Sequence, residues 1–335
     1  MRIMVTGDWH LKPKHPFSLM VNGKIWDSMC QEKLNTLNLL PKLAKKQKCQ
    51  MVVILGDVFD TSNPPEALKA EFVKIVSKFT VPVKVITGRP GDHDYVNENN
   101  YVLMDIREAF QHSGKENIYI HNSNFYPLPE AKGVLLFHDM LDGVNDLYKK
   151  TVSLNDDRFM DYETILMGDY HAQWIKKYGG KHFLYSGTPY PTRFGESCHG
   201  YCIVNINDSN GKLAGYKYFN LPTYALVEKT DLQDQYFQED QRWVIKYKIT
   251  CEPEDFSLTI RSLEEIKKTM MIDQGFSEIM DVVWEVKTTD QSRSSKSNSE
   301  GGDLIEVCHN YIDDNAGKYK TASKKLFDKF MKEVS

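Results

Sequence analysis

The sequence has no run of about 18 or more apolar residues, the length that a helix needs to cross a bilayer. Residues 1–8 also lack the charged start and the long apolar stretch of a secretory signal peptide. We therefore expect a cytoplasmic protein without a membrane segment. The chain of 335 residues is longer than one small domain needs, and its 41% of hydrophobic residues excludes a wholly disordered protein.

Cysteine is sparse and scattered. The chain has six cysteines, of which only Cys198 and Cys202 lie close together. A zinc site built from cysteines needs a second such pair, and the sequence has none. We therefore expect reduced structural thiols rather than a zinc site.

The sequence also has no surplus of positive charge. Its 42 basic and 46 acidic residues give a net charge of −4. Proteins that bind nucleic acid on their own usually carry a basic surplus. Any contact with DNA must therefore come from a local basic patch, from bound metal ions or from a partner protein.

The first hundred residues alternate between strand and helix patterns. Apolar runs predict strands at 3–6, 51–55 and 81–86, and helical spacing of apolar residues predicts helices at 27–46 and 65–79. This alternation is typical of a layered α/β sheet with parallel strands. Shorter strands are predicted at 118–120, 134–137, 164–167, 183–185, 201–204 and 215–219, and we place the first domain boundary near Leu221 and Pro222.

The remaining chain divides into three segments. Strands at 243–250 and 281–287 around a helix at 257–271 predict a small α/β domain over residues 221–287, after a first domain of residues 1–220. Residues 288–302 contain no apolar side chain and are predicted to form a flexible linker. Residues 303–335 predict two short amphipathic helices, which need a partner surface because isolated short helices are unstable.

Polar residues with metal-binding chemistry follow several of the predicted strands. The carboxyl ends of such strands meet at one edge of a sheet, and carboxylates with imidazoles there form sites for divalent ions. Two such ions suit the hydrolysis of a phosphate ester. A single Asp after a strand is more often a cap, and a single His is more often a surface or core residue, but capping hardly explains five clusters. They are Asp8-x-His10, Gly56-Asp57-x-x-Asp60, Asp92-His93-Asp94, His138 and Asp169-x-His171.

The order of these clusters resembles the signature of the calcineurin-like metallophosphoesterases. Within that superfamily the whole chain is similar to SbcD-type nuclease subunits of the double-strand-break repair complex, including the phage recombination endonuclease subunits. The segments 56–60 (Gly-Asp-Val-Phe-Asp) and 185–189 (Tyr-Ser-Gly-Thr-Pro) fit that subgroup, as do the small α/β capping unit, the linker and the terminal helices. The resemblance implies an α/β (α+β) fold with a layered β-sandwich core flanked by helices.

The resemblance also implies a role for each site residue. Asp8, His10 and His171 would hold one ion, Asp57 would bridge both ions, and His138 would bind the second. His93 would be the catalytic histidine, and Asp60 and Asp94 would orient ligands. The implied cofactors are two divalent ions, Mn²⁺ or Mg²⁺, and the implied metal ligands are Asp8, His10, Asp57, Asp92, His138, Asp169 and His171.

Two ligand positions depart from the family pattern. Asp92 stands where the family has Asn, Asp169 stands where it has His, and Gly88-Arg89-Pro90 precedes the first of them like an insertion. The extra carboxylates predict a harder, more anionic second site that favours Mn²⁺ or Mg²⁺. The alternative is a weakened or inactive site in a scaffold that binds DNA ends. Because both aspartates can still bind metal, we favour activity.

The implied partners are DNA and a second protein. The family resemblance implies 3′→5′ exonuclease and endonuclease activity, and binding of an SMC-like ATPase of the SbcC type through residues 303–335. It also implies a homodimer within a heterotetramer, for which the helix at 27–46 is a candidate face. A generic metallophosphatase, the other alternative, would need only residues 1–220. The basic stretch Lys42, Lys45, Lys46 and Lys48 is expected to be solvated at the negative end of a helix rather than to contact DNA.

Overall fold

The computed structural model describes most of the first 289 residues in two compact units. One unit comprises Met1–Ile249 with Leu258–Val286, and the other comprises Thr250–Ser257 with Lys287–Ser335. In the second unit, Thr289 donates a hydrogen bond of 2.7 Å from its hydroxyl to Glu252. The described residues are 1–13, 23–89, 103, 106–108, 110, 115–144, 151–194, 196, 199–230, 243–272 and 279–289.

The first sheet carries the amino-terminal strands. Its described strands are β1 (Arg2–Thr6), β2 (Met51–Leu55), β3 (Val83–Ile86), β4 (Ile118–His121), β10 (Gly200–Ile206) and β11 (Leu213–Asn220). They lie in the order β11-β10-β1-β2-β3-β4. β1 to β4 pair in parallel, whereas β10 is antiparallel to both β1 and β11. The predicted parallel sheet is therefore confirmed.

A second sheet packs against the first. Its described strands are β5 (Phe125–Pro127), β6 (Val134–His138), β7 (Thr164–Gly168), β8 (Trp174–Tyr178) and β9 (Lys181–Tyr185). They lie in the order β5-β6-β7-β9-β8, with β6, β7 and β9 parallel. Val5 and Val53 of the first sheet share one buried cluster with Leu136, Leu166 and Leu184 of the second. The core is therefore a layered β-sandwich, as predicted.

Helices cover the outer face of the first sheet. They are α1 (Gly23–Leu37), α2 (Leu40–Lys46) and α3 (Glu66–Val76). Met4, Val52 and Ile54 point from the sheet into the cluster that these helices bury. The single helix predicted at 27–46 is wrong, because the chain forms two helices there. Proline lacks an N–H group and clashes with the carbonyl four residues before it, so Pro41 marks a new helix start.

The part of the chain after the sandwich forms a smaller α/β arrangement. It contains β12 (Ala225–Lys229), β13 (Trp243–Cys251), α4 (Phe256–Ile272) and β14 (Ile279–Thr288), with the strands in the order β12-β13-β14. Leu263 of the helix packs on Ile245, Tyr247 and Val282 of this sheet. The two strands and the helix predicted there are confirmed, whereas the sequence patterns missed β12, β5 and β8. β14 includes Thr288, the first residue of the predicted linker.

Some predictions concern residues outside this description. The rest of the linker from residue 290 and the terminal segment 303–335 lie outside the described residues, and the domain boundaries stay predictions. Within the described ranges, no helix is both long and apolar enough to span a bilayer. Two short 3₁₀ helices, Asp157–Phe159 and Pro253–Asp255, also lie within the described ranges.

Candidate metal centre

The carboxyl ends of strands from both sheets meet at one edge of the sandwich. Asp8 and Asp57 follow β1 and β2 of the first sheet, and His138 is the last residue of β6 in the second sheet. The turn after β7 carries Asp169 and His171. Two sets of side chains bring their ligand atoms within 4.8 Å of one another there: a first cluster of Asp8, His10 and His171, and a second cluster of Asp8, Asp57 and His138.

The backbone at this edge is strained. Five non-glycine residues in the described ranges have a positive φ, and four of them belong to the predicted ligand set. Such a conformation costs of order 1–2 kcal/mol for each non-glycine residue, and it persists where the surrounding structure imposes it. The strain turns these side chains toward one place, as expected at a functional site. The four are Asp8 (φ 51°), His10 (φ 39°), Asp57 (φ 47°) and Asp169 (φ 92°).

Two glycines allow the strand ends to approach closely. A Cβ atom added at Gly168 would lie 2.1 Å from the carbonyl oxygen of Leu55 and 2.7 Å from Nδ1 of His138. At Gly56, whose φ is +74°, an added Cβ would lie 2.4 Å from the same imidazole nitrogen. Any larger residue at either position would displace the His138 ring.

The first cluster brings the Nε2 atoms of two tilted imidazole rings close together. Nε2 of His10 lies 3.1 Å from Nε2 of His171. Ligands bound to one ion at about 2.1 Å leave their donor atoms about 3 Å apart, so this separation suits two ligands of the same metal. Nδ1 of His10 lies 3.1 Å from the Asp60 carboxylate, and Nδ1 of His171 lies 2.6 Å from the Glu196 carboxylate. Both carboxylates therefore direct Nε2 toward the centre.

Glu196 is the residue that the sequence patterns missed. Its carboxylate accepts hydrogen bonds from the backbone N–H groups of Thr192 (2.7 Å) and Arg193 (3.0 Å) as well as from His171. Burial alone raises the pKa of Glu196, but these hydrogen bonds and the His171 imidazole lower it to about 2. The only sequence signal was a carboxylate in the loop that follows residues 185–189. Its contact with His171 depends on how that loop folds.

Asp60 contacts His10 as Glu196 contacts His171, and its role in orienting that imidazole stays a prediction. Lys12 forms an ion pair of 2.9 Å with the same carboxylate. Burial opposes ionisation of Asp60, but the hydrogen bond from His10 and the charge of Lys12 hold its pKa well below the usual value. Asp60 therefore stays ionised and keeps the proton of His10 on Nδ1.

The second cluster is completely buried. Nδ1 of His138 donates a 2.7 Å hydrogen bond to the carbonyl oxygen of Leu55, and its Nε2 lies 3.7 Å from the Asp57 carboxylate. Oδ1 of Asp8 accepts the backbone N–H of Asp169 at 2.9 Å. Oδ2 of Asp8 is buried and has no hydrogen-bond donor among the described residues. A buried carboxylate oxygen without a donor is costly in a protein and is well suited to a cation.

The charge state of the second cluster supports the same conclusion. Burial raises the pKa of Asp8 to about 6. For His138, burial alone lowers the pKa, but Asp57, Asp8 and Asp169 raise it to about 10. The imidazole therefore takes up a proton that partly balances the buried carboxylates. Divalent ions would supply that positive charge instead, so the residues present fit a metal centre.

Asp169 lies at the edge of the clusters and belongs to neither of them. Its carboxylate is 3.9 Å from the guanidinium of Arg89, which also lies 3.2 Å from Asp139. Arg89 is part of the insertion-like segment before the predicted Asp92-His93-Asp94 motif. Those three residues lie outside the described part of the chain, so their roles as ligand, catalytic histidine and orienting group stay predictions.

Comparison with known families identifies the family of this chain. The profile of the calcineurin-like phosphoesterases matches residues 1–202. A partly similar solved structure is an archaeal phosphodiesterase, which is 11% identical over 65% of this chain and 100% of that chain, with a TM-score of 0.37. Zinc-bound Vps29 from Entamoeba histolytica is 17% identical over 62% of this chain and 88% of that chain, with a TM-score of 0.33. An uncharacterised predicted phosphoesterase from Streptococcus pneumoniae is 13% identical over 65% of this chain and 96% of that chain, with a TM-score of 0.29. Because the profile spans more than half of the sequence, the chain belongs to the calcineurin-like phosphoesterase family, and this membership supports a metal-dependent hydrolase.

Proposed function

We propose that this protein is a metal-dependent nuclease that cleaves the phosphodiester bonds of DNA. One observation carries the hydrolytic part. Three imidazoles at the sheet edge, those of His10, His138 and His171, each have Nδ1 held by an oxygen acceptor and Nε2 turned toward Asp8 or Asp57. Metal-binding histidines are oriented by such contacts. Three structural histidines would not be expected to share this arrangement at one sheet edge.

Each group has a defined task in this proposal. Asp8, His10 and His171 would hold one divalent ion, and Asp8, Asp57 and His138 the other. When bound, the two ions would lower the pKa of a water molecule and stabilise the negative charge of the phosphate oxygens. Asp60 and Glu196 keep Nε2 of their imidazoles unprotonated, and the backbone N–H of Asp169 fixes Asp8. His93 is proposed to donate a proton to the leaving oxygen.

The choice of DNA rests on the second half of the chain and on the subgroup resemblance. A stand-alone phosphatase would need only the sandwich, but the chain continues into a further sheet with a helix on it. This arrangement, with the segments 56–60 and 185–189, is similar to the SbcD-type subunits. We therefore propose double-strand-break repair and recombination in the cytoplasm as the setting, with Mn²⁺ preferred over Mg²⁺.

One observation favours a second candidate, a weakened or inactive scaffold that binds DNA ends. The guanidinium of Arg89 faces the carboxylate of Asp169, a predicted ligand. If this pair persists in the loaded protein, Asp169 contributes less charge to an ion. The buried arrangement of Asp8, Asp57 and His138 argues for the active alternative. Buried charges carry a desolvation cost, and a site without a metal-binding function gains nothing that offsets this cost.

The test is cleavage of an end-labelled DNA duplex in Mn²⁺ and, separately, in Mg²⁺. Asp57→Asn is the inactive variant, and Asp161→Asn, an exposed residue outside the site, is its matched control. We expect Mn²⁺-dependent cleavage by the wild type and by the control, and none by Asp57→Asn. Hydrolysis of bis(p-nitrophenyl) phosphate without DNA cleavage would indicate a generic phosphodiesterase rather than a DNA nuclease. No hydrolysis of either substrate would support the scaffold.

The partner protein needs a test of its own. We propose that residues 303–335 bind an SMC-like ATPase and that the nuclease subunits pair as a homodimer within that complex. Deleting these residues should abolish co-purification with the ATPase while leaving hydrolysis of the small phosphodiester unchanged. Retained co-purification would contradict this role of the segment.

A further inference from the structure

A groove on the helical side of the sandwich has an unusual concentration of lysine. It runs between α1, α2 and α3 and has a volume of about 1110 Å³. Five lysines line it, and Glu71 is the one acidic residue among its described lining. The whole chain carries a net charge of −4, so the positive charge of the groove differs in sign from that of the whole protein. The five are Lys12, Lys42, Lys45, Lys74 and Lys78.

Four of the groove lysines come in two pairs from separate parts of the chain. Lys42 and Lys45 are three residues apart and therefore share one face of α2. Lys74 lies near the end of α3, and Lys78 follows it by four residues. All four side chains are exposed. Two pairs of positive charge on separate elements of one groove fit an extended polyanion better than a compact anion.

The contacts that these lysines already make are easily exchanged. Lys74 pairs with Glu71 at 3.1 Å, and Lys78 donates a hydrogen bond to Asn38 across the groove. Exposed ion pairs of this kind contribute about 0–1 kcal/mol, so a phosphate can replace the carboxylate at little cost. The groove therefore needs no rearrangement of the helices before it binds an anion.

The chemistry of the floor indicates how a polyanion would be held. Leu34, Leu68 and Pro41 line it, and none of the described lining residues is aromatic. Stacking of bases on aromatic rings is thus not available, whereas contacts with phosphates are. Such contacts position a strand without reading its sequence. This suits a nuclease that acts on ends of any sequence.

One lining residue connects the groove to the metal centre. Lys12 lines the groove and forms its 2.9 Å ion pair with Asp60, which in turn contacts His10 of the first cluster. We infer that the groove binds the phosphate backbone of a nucleic-acid strand and leads it to the metal centre. For Lys42 and Lys45 this inference replaces the sequence-based expectation of a solvated helix end, because both residues line the groove together with lysines of α3 and the residues after it. The inference rests on the proposed function, because it names where the substrate of that site would lie.

The test is the binding of a fluorescein-labelled oligothymidylate to the full chain in EDTA, at several salt concentrations. The variant neutralises three exposed groove lysines, Lys42→Gln, Lys45→Gln and Lys74→Gln. The control neutralises three exposed lysines elsewhere, Lys176→Gln, Lys177→Gln and Lys212→Gln. We expect the variant to bind at least about tenfold more weakly at low salt. The slope of log affinity against log salt should also fall by about 2, because each lost contact with a single strand removes about 0.7.

Three results would overturn the inference. Equal losses in the variant and the control would indicate a general charge effect. An unchanged salt slope in the variant would indicate that DNA lies elsewhere. Unchanged binding together with conversion of a dimer to a monomer in sedimentation would assign the groove to a second copy of this chain. Hydrolysis of bis(p-nitrophenyl) phosphate is measured in parallel and should be unchanged in both variants. Its absence in the wild type would contradict the proposed function without affecting the binding result.

Discussion

The two clusters share Asp8 but differ in what holds them. In the first, side-chain carboxylates hold both imidazoles, and His171 is partly exposed. In the second, a backbone carbonyl holds the one imidazole, and every member is buried. The first cluster thus depends on charged hydrogen bonds from distant parts of the chain. The second depends on how closely β2, β6 and β7 pack, so different changes should affect each cluster.

Asp57→Asn should have the largest effect, because Asp57 faces both clusters. Its carboxylate lies 3.6 Å from Nε2 of His10 and 3.7 Å from Nε2 of His138. We expect a loss of about 10³-fold in kcat/KM for bis(p-nitrophenyl) phosphate in Mn²⁺, or about 4 kcal/mol of transition-state stabilisation. Activity within tenfold of the wild type would contradict a role of Asp57 in both clusters.

Glu196→Gln should weaken the first cluster alone. The amide oxygen can still accept from the backbone N–H groups of Thr192 and Arg193, but the charge opposite His171 is lost. Loss of such an orienting carboxylate typically lowers metal affinity about 10- to 100-fold. Titration calorimetry with Mn²⁺ should show one of two binding events weakened, with Glu66→Gln on the surface of α3 as the control. Equal weakening of both events would contradict the separation of the clusters.

The second cluster should make the stability of the ion-free protein depend on pH. The pKa of His138 is about 10 in the folded chain against about 6.5 when unfolded, so the folded state keeps a proton that the unfolded state releases. This contribution is fully present below pH 6.5 and is lost as the pH rises toward 10. The free energy of unfolding in EDTA should therefore fall by about 1.4 kcal/mol per pH unit in this window.

Calorimetric melting between pH 6.5 and 9 tests this expectation. The unfolding temperature in EDTA should fall with pH in the wild type and fall less steeply in His138→Gln. Addition of Mn²⁺ should reverse the decline, because the ion replaces the proton. An unfolding temperature that rises with pH in EDTA would refute the charge state described for this cluster.

Arg89→Ala should have the smallest effect, but its sign is informative. If the guanidinium competes with an ion for Asp169, removing it should tighten Mn²⁺ binding about two- to fivefold, the scale of a partly exposed ion pair. If Arg89 only holds Asp169 in place, binding should weaken. The exposed Arg261→Ala on α4 is the control in the same calorimetric titration.

The part of the site that lies on strands could be predicted from sequence. The run of apolar residues at 51–55 ends at Gly56-Asp57, and a buried parallel strand carries the residues after it to a defined edge of the sheet. In the same way, Asp8 follows β1 and His138 ends β6, so both could be placed at a strand end from the sequence. The edge of the sheet at which these residues lie depends only on the direction of each strand.

The features that could not be predicted depend on backbone detail and on loops. The carboxylate direction of Asp169 results from its φ of 92°, and periodicity carries no information about that angle. Glu196 lies 25 positions after His171 in the sequence, and their contact depends on the course of the chain after β9, which periodicity does not predict. β5 was missed because it has only three residues and ends in proline. β8 was missed because its residues are largely exposed and lack an apolar alternation.

The central claim is that this sheet edge holds two divalent ions between separately supported clusters. A crystal structure with Mn²⁺, phased by the anomalous scattering of manganese, tests it most directly. We predict two anomalous peaks, one bounded by Asp8, His10 and His171 and the other by Asp8, Asp57 and His138. A single peak, or none at millimolar Mn²⁺, would contradict the two-ion account.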